Sequence, residues 1–497
     1  MRYLTDEDLK RFKVAESNSF ASPIPTQVVS NGEYHPLPQT EQQKRVEARI
    51  KQLADDLGPK HGMSRRQFLS SSAGMAAAFV AMNDIFGPLY DVAQAEAASP
   101  GMADERARGL ASQFIIDCQT HFVRDDYTTD ITGLAQFAKA HWNPGLEQAS
   151  SLDRFKFANY VKEIYVDSDT DVAILSGSPV DDEVNLFLTN DQIAAARASV
   201  NAIAGSRRLL GHGIIQPKSE GWLDDVDYAI ETLKVDSWKG YTIGDPLFQT
   251  MRQSQWRLDD EKLVYPFYEK IVKAGINTVC IHKGLMPPDY ETSWEGLWEY
   301  ATVSDVGKAA KDWPQINFVI YHSALRPFIE LPDSTLQQFE DQGRIDWVTD
   351  LADIPRKYGV SNVYAELGTC FANTSVTHPR LAAAMLGQLI KGLGTDRVLW
   401  GTDSVWYGSP QWQIEALRRL EIPEDMQKKH GFAPLGAADG PVKNAIFSGN
   451  AARLYDIDVT AAVGQLSIDQ ISAVKAEYVA RNEGRSNLRY GYVHTAA

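Results

Sequence analysis

The sequence predicts an α/β protein of the (β/α)8 TIM-barrel class, with loop insertions and an N-terminal extension. Three observations carry this. From Glu96 onward, short apolar runs alternate with helix-periodic stretches, which argues for parallel strands with helices outside them. There are eight such runs, and eight units over about 330 residues suit a barrel with insertions. No Gly-rich G-x-G-x-x-G follows the first run, which weakens the alternative of an open, doubly wound dinucleotide-binding sheet.

The predicted strands are Phe114–Asp117, Val172–Leu175, Leu209–Ile215, Val235–Trp238, Thr278–Ile281, Phe318–Tyr321, Val363–Ala365 and Val398–Trp400. Helical periodicity marks Asp191–Ala204, Asp224–Leu233, Leu263–Ala274, Val306–Asp312, Trp347–Tyr358 and Pro379–Leu393. The barrel is expected over 96–460, followed by a helical tail at 461–497. Two insertions stand out. One, 122–169, carries Tyr127, Trp142, Phe155, Phe157 and Tyr160; the other, 284–302, carries Trp294, Trp298 and Tyr300. Loops after strands build the active face of a barrel, so both read as lids over a pocket or as aromatic clusters packing a long loop.

The 497 residues are 44% hydrophobic and 23% charged, the profile of a globular chain with a large core. A formal net charge of −16 argues against nucleic acid or an anionic membrane as partner. No apolar stretch reaches the roughly 18 residues needed to span a bilayer. Three cysteines (Cys118, Cys280, Cys370) are too few for a disulfide scaffold.

Residues 1–63 form a polar extension, expected to be weakly packed, with one helix-like stretch at Glu41–Leu57. In 64–95, Ser64-Arg65-Arg66-Gln67-Phe68-Leu69 precedes an Ala-rich apolar stretch (Ala73 to Met82) and then Ala93-Gln94-Ala95. That order resembles a twin-arginine export signal with an A-x-A cleavage site. It implies the export machinery as a partner and a periplasmic or otherwise exported location.

The polar residues that matter lie at the carboxyl ends of the predicted strands: Gln119 and His121 after the first, His282 after the fifth, His322 after the sixth, Glu366 at the seventh and Asp403 after the eighth. A lone histidine after a strand is usually structural. Here parallel strands would bring all these ends to one face, where imidazoles and a carboxylate suit zinc or another borderline divalent metal.

The ordered set Asp117-Cys118-Gln119-Thr120-His121, His282, His322, Trp400-Gly401-Thr402-Asp403 and Gly449-Asn450-Ala451-Ala452-Arg453-Leu454-Tyr455 resembles the amidohydrolase superfamily. The nearest branch is the amidohydrolase-related group that includes aminocarboxymuconate semialdehyde decarboxylase and the hydroxybenzoate decarboxylases. The resemblance runs over roughly 112–457. It implies one divalent metal, zinc first with manganese or another as alternatives, held by His121, His282 and Asp403. Gln119 stands at the first ligand position, where an imidazole is expected. His322 matches the catalytic histidine that does not ligate, and Asp403 would also handle the proton of water or substrate. An amide oxygen is a weaker ligand than imidazole, but three good ligands suffice for a catalytic metal.

Arg326, Trp294 and Glu366 are the candidates for contact with substrate; Glu366 could equally ligate or orient a histidine. Lys283 is a weaker candidate of the same kind as Arg326. Trp298, Trp406 and Trp412 could line a pocket or simply fill core. Lys239 lies where two-metal relatives place a carboxylated bridging lysine, though an ordinary buried lysine is the plainer reading. The expected function is therefore a metal-dependent hydrolase of a small carboxylated or aromatic molecule, acting through metal-activated water. A metal-dependent non-oxidative decarboxylase and a catalytically silent envelope binding protein are the alternatives. A homodimer is compatible with a barrel of this size.

Overall fold

A computed structural model describes residues 22–29, 37–124, 155–178, 187–244, 254–286, 290–293, 295–326 and 332–481. Eight strands form one sheet in the order β1 to β8: β1 Ile116–Thr120, β2 Val172–Leu175, β3 Leu209–Ile214, β4 Ser237–Tyr241, β5 Thr278–His282, β6 Asn317–Tyr321, β7 Val363–Glu366 and β8 Val398–Leu399. Each neighbouring pair from β1–β2 to β7–β8 is parallel.

The two ends of the sheet meet at its carboxyl side. Cys118 N–H donates to the Trp400 carbonyl at 3.0 Å, Asp403 N–H to the Gln119 carbonyl at 2.9 Å and Val405 N–H to the His121 carbonyl at 3.1 Å. A parallel bridge between Thr120 and Ser404 continues this closure. The residues that close the barrel are thus the segments that carry the candidate site. This near-closure brings all eight strand ends to one rim.

The period-2 alternation of the strands sorts the core into two clusters. Ile116, Cys118, Val172, Ile174, Leu210, Cys280, Val319, Tyr321 and Leu399 form one, capped by Ala451, Ala452 and Tyr455 from the closing helical segment. Ile115, Ala173, Trp238, Val279, Ile281, Phe318, Ile320 and Ala365 belong to the other, with helix residues such as Phe267, Leu351 and Leu386. The helices Val306–Asp312 and Pro379–Leu393 have the predicted bounds. The predicted Asp224–Leu233 helix is Trp222–Tyr228 followed by a π-helical turn, Ala229–Leu233.

The N-terminal extension differs from expectation. The helix Glu41–Leu57 opens with a Thr40/Gln43 capping box and buries Val46, Ile50, Leu53 and Ala54. It packs on the helix Ser72–Phe86, in which every residue from Ala73 to Met82 is buried. An all-round apolar helix needs cover on every side; the neighbouring helices Glu41–Leu57, Gln94–Ala98 and Pro100–Leu110 supply much of it. The expected weak packing is therefore corrected for 41–57. At the other end, the helices Val459–Leu466 and Gln470–Ala480 follow the barrel. Asp469, at the start of the second, is tied to Arg208 by a buried ion pair at 2.7 Å.

Candidate active site

Each site residue owes its place to a strand end. The register shifts between Asp117 and Thr120 in β1. Just there, Gln119 and His121 leave the regular ladder and meet Asp403 from beyond β8. Gln119 Nε2 donates to Asp403 Oδ1 at 2.8 Å, and His121 Nε2 lies 3.0 Å from the same oxygen. Thr369 Oγ1, from beyond β7, donates to Asp403 Oδ2 at 2.5 Å. A second pair faces them: His322 Nε2 lies 3.1 Å from His282 Nδ1. His322 Nδ1 donates to the Gly368 carbonyl at 2.9 Å, which leaves Nε2 as the lone-pair nitrogen of that ring. All these side chains are buried.

Backbone strain gathers at the same rim. His322, Ser323, Ala324, Thr369 and Asp403 have φ between 50° and 59°. Each such residue costs on the order of 1–3 kcal/mol and persists only where its surroundings over-determine it. Strain concentrated at three neighbouring strand ends is characteristic of a functional site.

The charge states follow from burial and neighbours. Burial, with Lys239 assisting, pushes His322 down to about 4, against the opposing pull of Asp403. Burial and the nearby His322, Lys239 and Lys283 hold His282 well below the usual imidazole range. Both rings are therefore neutral at pH 7, with lone pairs available. Asp403 goes the other way. Burial disfavours its charge, but the contact with His121, the proximity of His322 and the Thr369 hydroxyl together hold it well below the usual carboxylate range. Glu366 is pushed up to about 8 by burial, in spite of the Gly368 and His322 amides that bind it at 2.6 Å and 3.2 Å. Asp117, buried under Thr402, is pushed up to about 7.

The donor set can be tested against a divalent metal. Ligand atoms about 2.1 Å from a common ion stand about 3.0–3.4 Å from one another. The His121 Nε2–Asp403 Oδ1 separation, 3.0 Å, matches that edge length. Gln119 Oε1 is buried without a hydrogen-bond partner among the described residues, the state of an oxygen awaiting a cation. The neutral His282 ring and the ionised Asp403 carboxylate are in the protonation states that metal binding requires. As they stand, the residues form two facing pairs. Among the described residues no three His, Cys, Asp or Glu side chains are grouped as a metal site. The set fits a divalent ion in the chemistry of its donors, and the two pairs would have to draw together to share one.

The remaining candidates divide. Glu366 lies against this set: a Cβ built on Gly368 would stand 2.3 Å from Gln119 Oε1 and 2.7 Å from Glu366 Oε1. Lys239 is buried in the barrel with Nζ 3.5 Å from the Tyr321 ring centre. Trp406 stacks on His121 at 5.8 Å and meets Phe155 and Phe187, so it walls the site. Arg326 pairs with Asp346 at 2.8 Å and lies over the Tyr290 ring. Lys283 is engaged by Asp305 at 3.0 Å in a buried ion pair. Trp412 is core. Trp298 stacks with Trp347 in an apolar cluster with Met286 and Tyr290. Trp294 lies outside the described residues, as does most of the 122–169 insertion. Sequence reasoning missed Thr369 and its neighbour Tyr407. Their only signal was position, just beyond β7 and β8.

Three comparisons complete the description. A family model described as Amidohydrolase matches residues 116–457. No curated protein matches the chain. Among solved structures, an uncharacterised TIM-barrel protein from Bordetella bronchiseptica is 16% identical, covering 70% of this chain and 99% of its own, with a TM-score of 0.43. A 5-carboxyvanillate decarboxylase from Novosphingobium aromaticivorans, complexed with manganese and 4-hydroxy-3-methoxy-5-nitrobenzoic acid, is 16% identical over 70% of this chain and 97% of its own, with a TM-score of 0.43. A 2,6-dihydroxybenzoate decarboxylase from Rhizobium is 12% identical over 70% and 99%, with a TM-score of 0.39.

Proposed function

The chain belongs to the amidohydrolase family, and from that premise we propose that it is a metal-dependent non-oxidative decarboxylase of a small aromatic or unsaturated acid. The observation that supports this over hydrolysis is the state of Asp403. Its two carboxylate oxygens already meet Gln119, His121 and Thr369, and it is held well below the usual carboxylate range. A general base works best with a pKa near the operating pH. A carboxylate so stabilised is a weak acceptor for a proton taken from water. Decarboxylation takes no proton from water. The bond between carbon and carboxylate breaks, carbon dioxide leaves, and a proton replaces it on carbon.

The chain's own residues suit that sequence. Lys239 lies within electrostatic reach of His322 and Glu366 in the barrel, and its ammonium form would favour an anionic substrate. Trp406 and Phe155 give the site an apolar wall, and a dry site disfavours a charged carboxylate relative to neutral carbon dioxide. Glu366, pushed up to about 8, still carries a proton at neutral pH and serves as the local proton reserve. His121, His282 and Asp403, with Gln119 Oε1, would hold the metal, zinc or manganese. When bound, that ion supplies positive charge to grip the substrate's carboxylate and adjacent oxygen.

The hydrolytic reading uses the same residues with Asp403 as proton acceptor. Protein loaded with manganese or zinc should release carbon dioxide from a panel of hydroxybenzoates and unsaturated dicarboxylates. Water-dependent cleavage of lactones or amides without carbon dioxide release would replace the proposal with the hydrolase. Failure of both, with no metal uptake, would favour a silent binding protein.

A further inference from the structure

We propose that Thr369 and Tyr407 are positioning residues for Asp403. The inference rests on reading Asp403 as the site carboxylate. Thr369 stands at the N-cap of the helix Cys370–Ser375, where a threonine ordinarily turns its hydroxyl onto a free helix amide. Here it makes no such capping bond. Its hydroxyl is diverted to Asp403 Oδ2, and Tyr407 Oη donates to Thr369 Oγ1 at 3.1 Å. Asn373, one turn along the helix, donates to Tyr407 Oη at 3.3 Å. The diversion has a conformational cost. Thr369 has φ 59° and ψ −57°, and a β-branched residue at positive φ is a genuine outlier. Glycine would take that backbone freely, so threonine there is explained by its hydroxyl. Gln119 and His121 hold Oδ1 and Thr369 holds Oδ2, so the three together fix the carboxylate plane.

The test is Thr369→Val, which keeps shape and loses the hydroxyl, beside Thr369→Ser, which keeps it, and Tyr407→Phe. Manganese affinity is titrated directly, and kcat and KM are measured on the best substrate found. Residues that orient a ligand typically cost 10–100-fold when lost. We expect Thr369→Val to lower manganese affinity and kcat by about 10-fold or more with KM little changed, Thr369→Ser to restore most of both, and Tyr407→Phe to fall between. Wild-type affinity in Thr369→Val, or equal loss in Thr369→Ser, would overturn the proposal. Asp403→Asn is the control: if it too keeps full manganese affinity, the reading of Asp403 as ligand has failed instead.

A separate observation carries a second inference. The geometry points to residues 64–98 as a permanent part of the enzyme rather than a leader removed at Ala95. The apolar helix Ser72–Phe86 packs against the helices Glu41–Leu57, Gln94–Ala98 and Pro100–Leu110, and Arg419 lies over its Phe79 ring. Arg65, half-exposed, is engaged by Asp55 at 2.5 Å. Beyond the helix the chain docks on the end of the helix Gln411–Arg419: Asp91 N–H donates to the Arg419 carbonyl and Glu421 N–H to the Leu89 carbonyl, both at 2.8 Å. Tyr90 Oη donates to the Ser375 carbonyl, at the far end of the helix that Thr369 begins. Glu96 forms a buried ion pair with Arg419 at 2.7 Å. Cleavage after Ala95 would place a new ammonium group beside that guanidinium. Intact mass of the active protein, from each cell fraction of a host expressing the full chain, should show residues 64–98 retained. An active species beginning at Glu96 would overturn the inference.

Discussion

Replacing Gly401 by alanine tests the packing that holds Glu366 in the site. A Cβ at Gly401 would stand 1.7 Å from Glu366 Oε1, 2.7 Å from its Cδ and 3.2 Å from its Cγ. Non-bonded heavy atoms need about 3.5 Å, so the carboxyl group must move by well over an ångström. Glu366 is fully buried. Moving it breaks its bonds from the Gly368 amide at 2.6 Å and the His322 amide at 3.2 Å. Each buried donor left unpaired costs about 1–3 kcal/mol, and overpacking adds about 1–3 kcal/mol. A loss of about 4 kcal/mol in unfolding free energy is expected, measured by denaturant titration with Gly101→Ala as the uncrowded control. Gly101 has only Ser99 Oγ near, at 4.0 Å. Turnover should fall at least about 100-fold, since the same amides seat His322. An unchanged unfolding midpoint with activity within about two-fold of wild type would refute the placement of Glu366.

Other predictions follow from the same residues. His121→Ala and Asp403→Asn should each abolish manganese uptake and turnover, read by metal analysis after gel filtration; retention of both properties would remove these residues from the site. Activity should decline as pH rises through about 8, because Glu366 then loses the proton it carries at neutral pH; a flat profile from pH 7 to about 9 would dissociate Glu366 from turnover. Stability has the same sign. The folded pKa is raised, so the native state binds more protons than the unfolded chain between about 4.5 and about 8. This contribution, on the order of a few kcal/mol, is fully present below about pH 4.5 and lost as pH rises through about 8. Because the depressed His282 and His322 contribute with the opposite sign at lower pH, the check is the stability difference between wild type and Glu366→Gln across that window; a difference that does not change with pH would contradict the assignment.

Much of the site was legible because its residues sit at strand ends, and strand ends are read from local apolar runs. His282 ends β5, His322 follows β6 and Glu366 ends β7. Parallel topology then brings them to one rim without further information. The division into two facing pairs was not legible. It depends on the His121–Asp403 and His282–His322 separations, between residues far apart in the chain. Arg326 shows the same gap. Its spacing after His322 suited a substrate clamp, and its ion pair with Asp346 is visible only in the fold. No local pattern marks that choice.

The sequence by itself determined the barrel, the order of its strands and the ring of histidines and carboxylates at their ends. These follow from period and spacing, which neighbouring residues set. Only the tertiary structure decided the packing of the Ala-rich stretch 73–82, buried throughout in the helix Ser72–Phe86. It also decided the role of Thr369, which depends on a left-handed backbone and on Asp403 across the rim. Contacts of that kind are created by the closed barrel and do not exist in the chain before it closes.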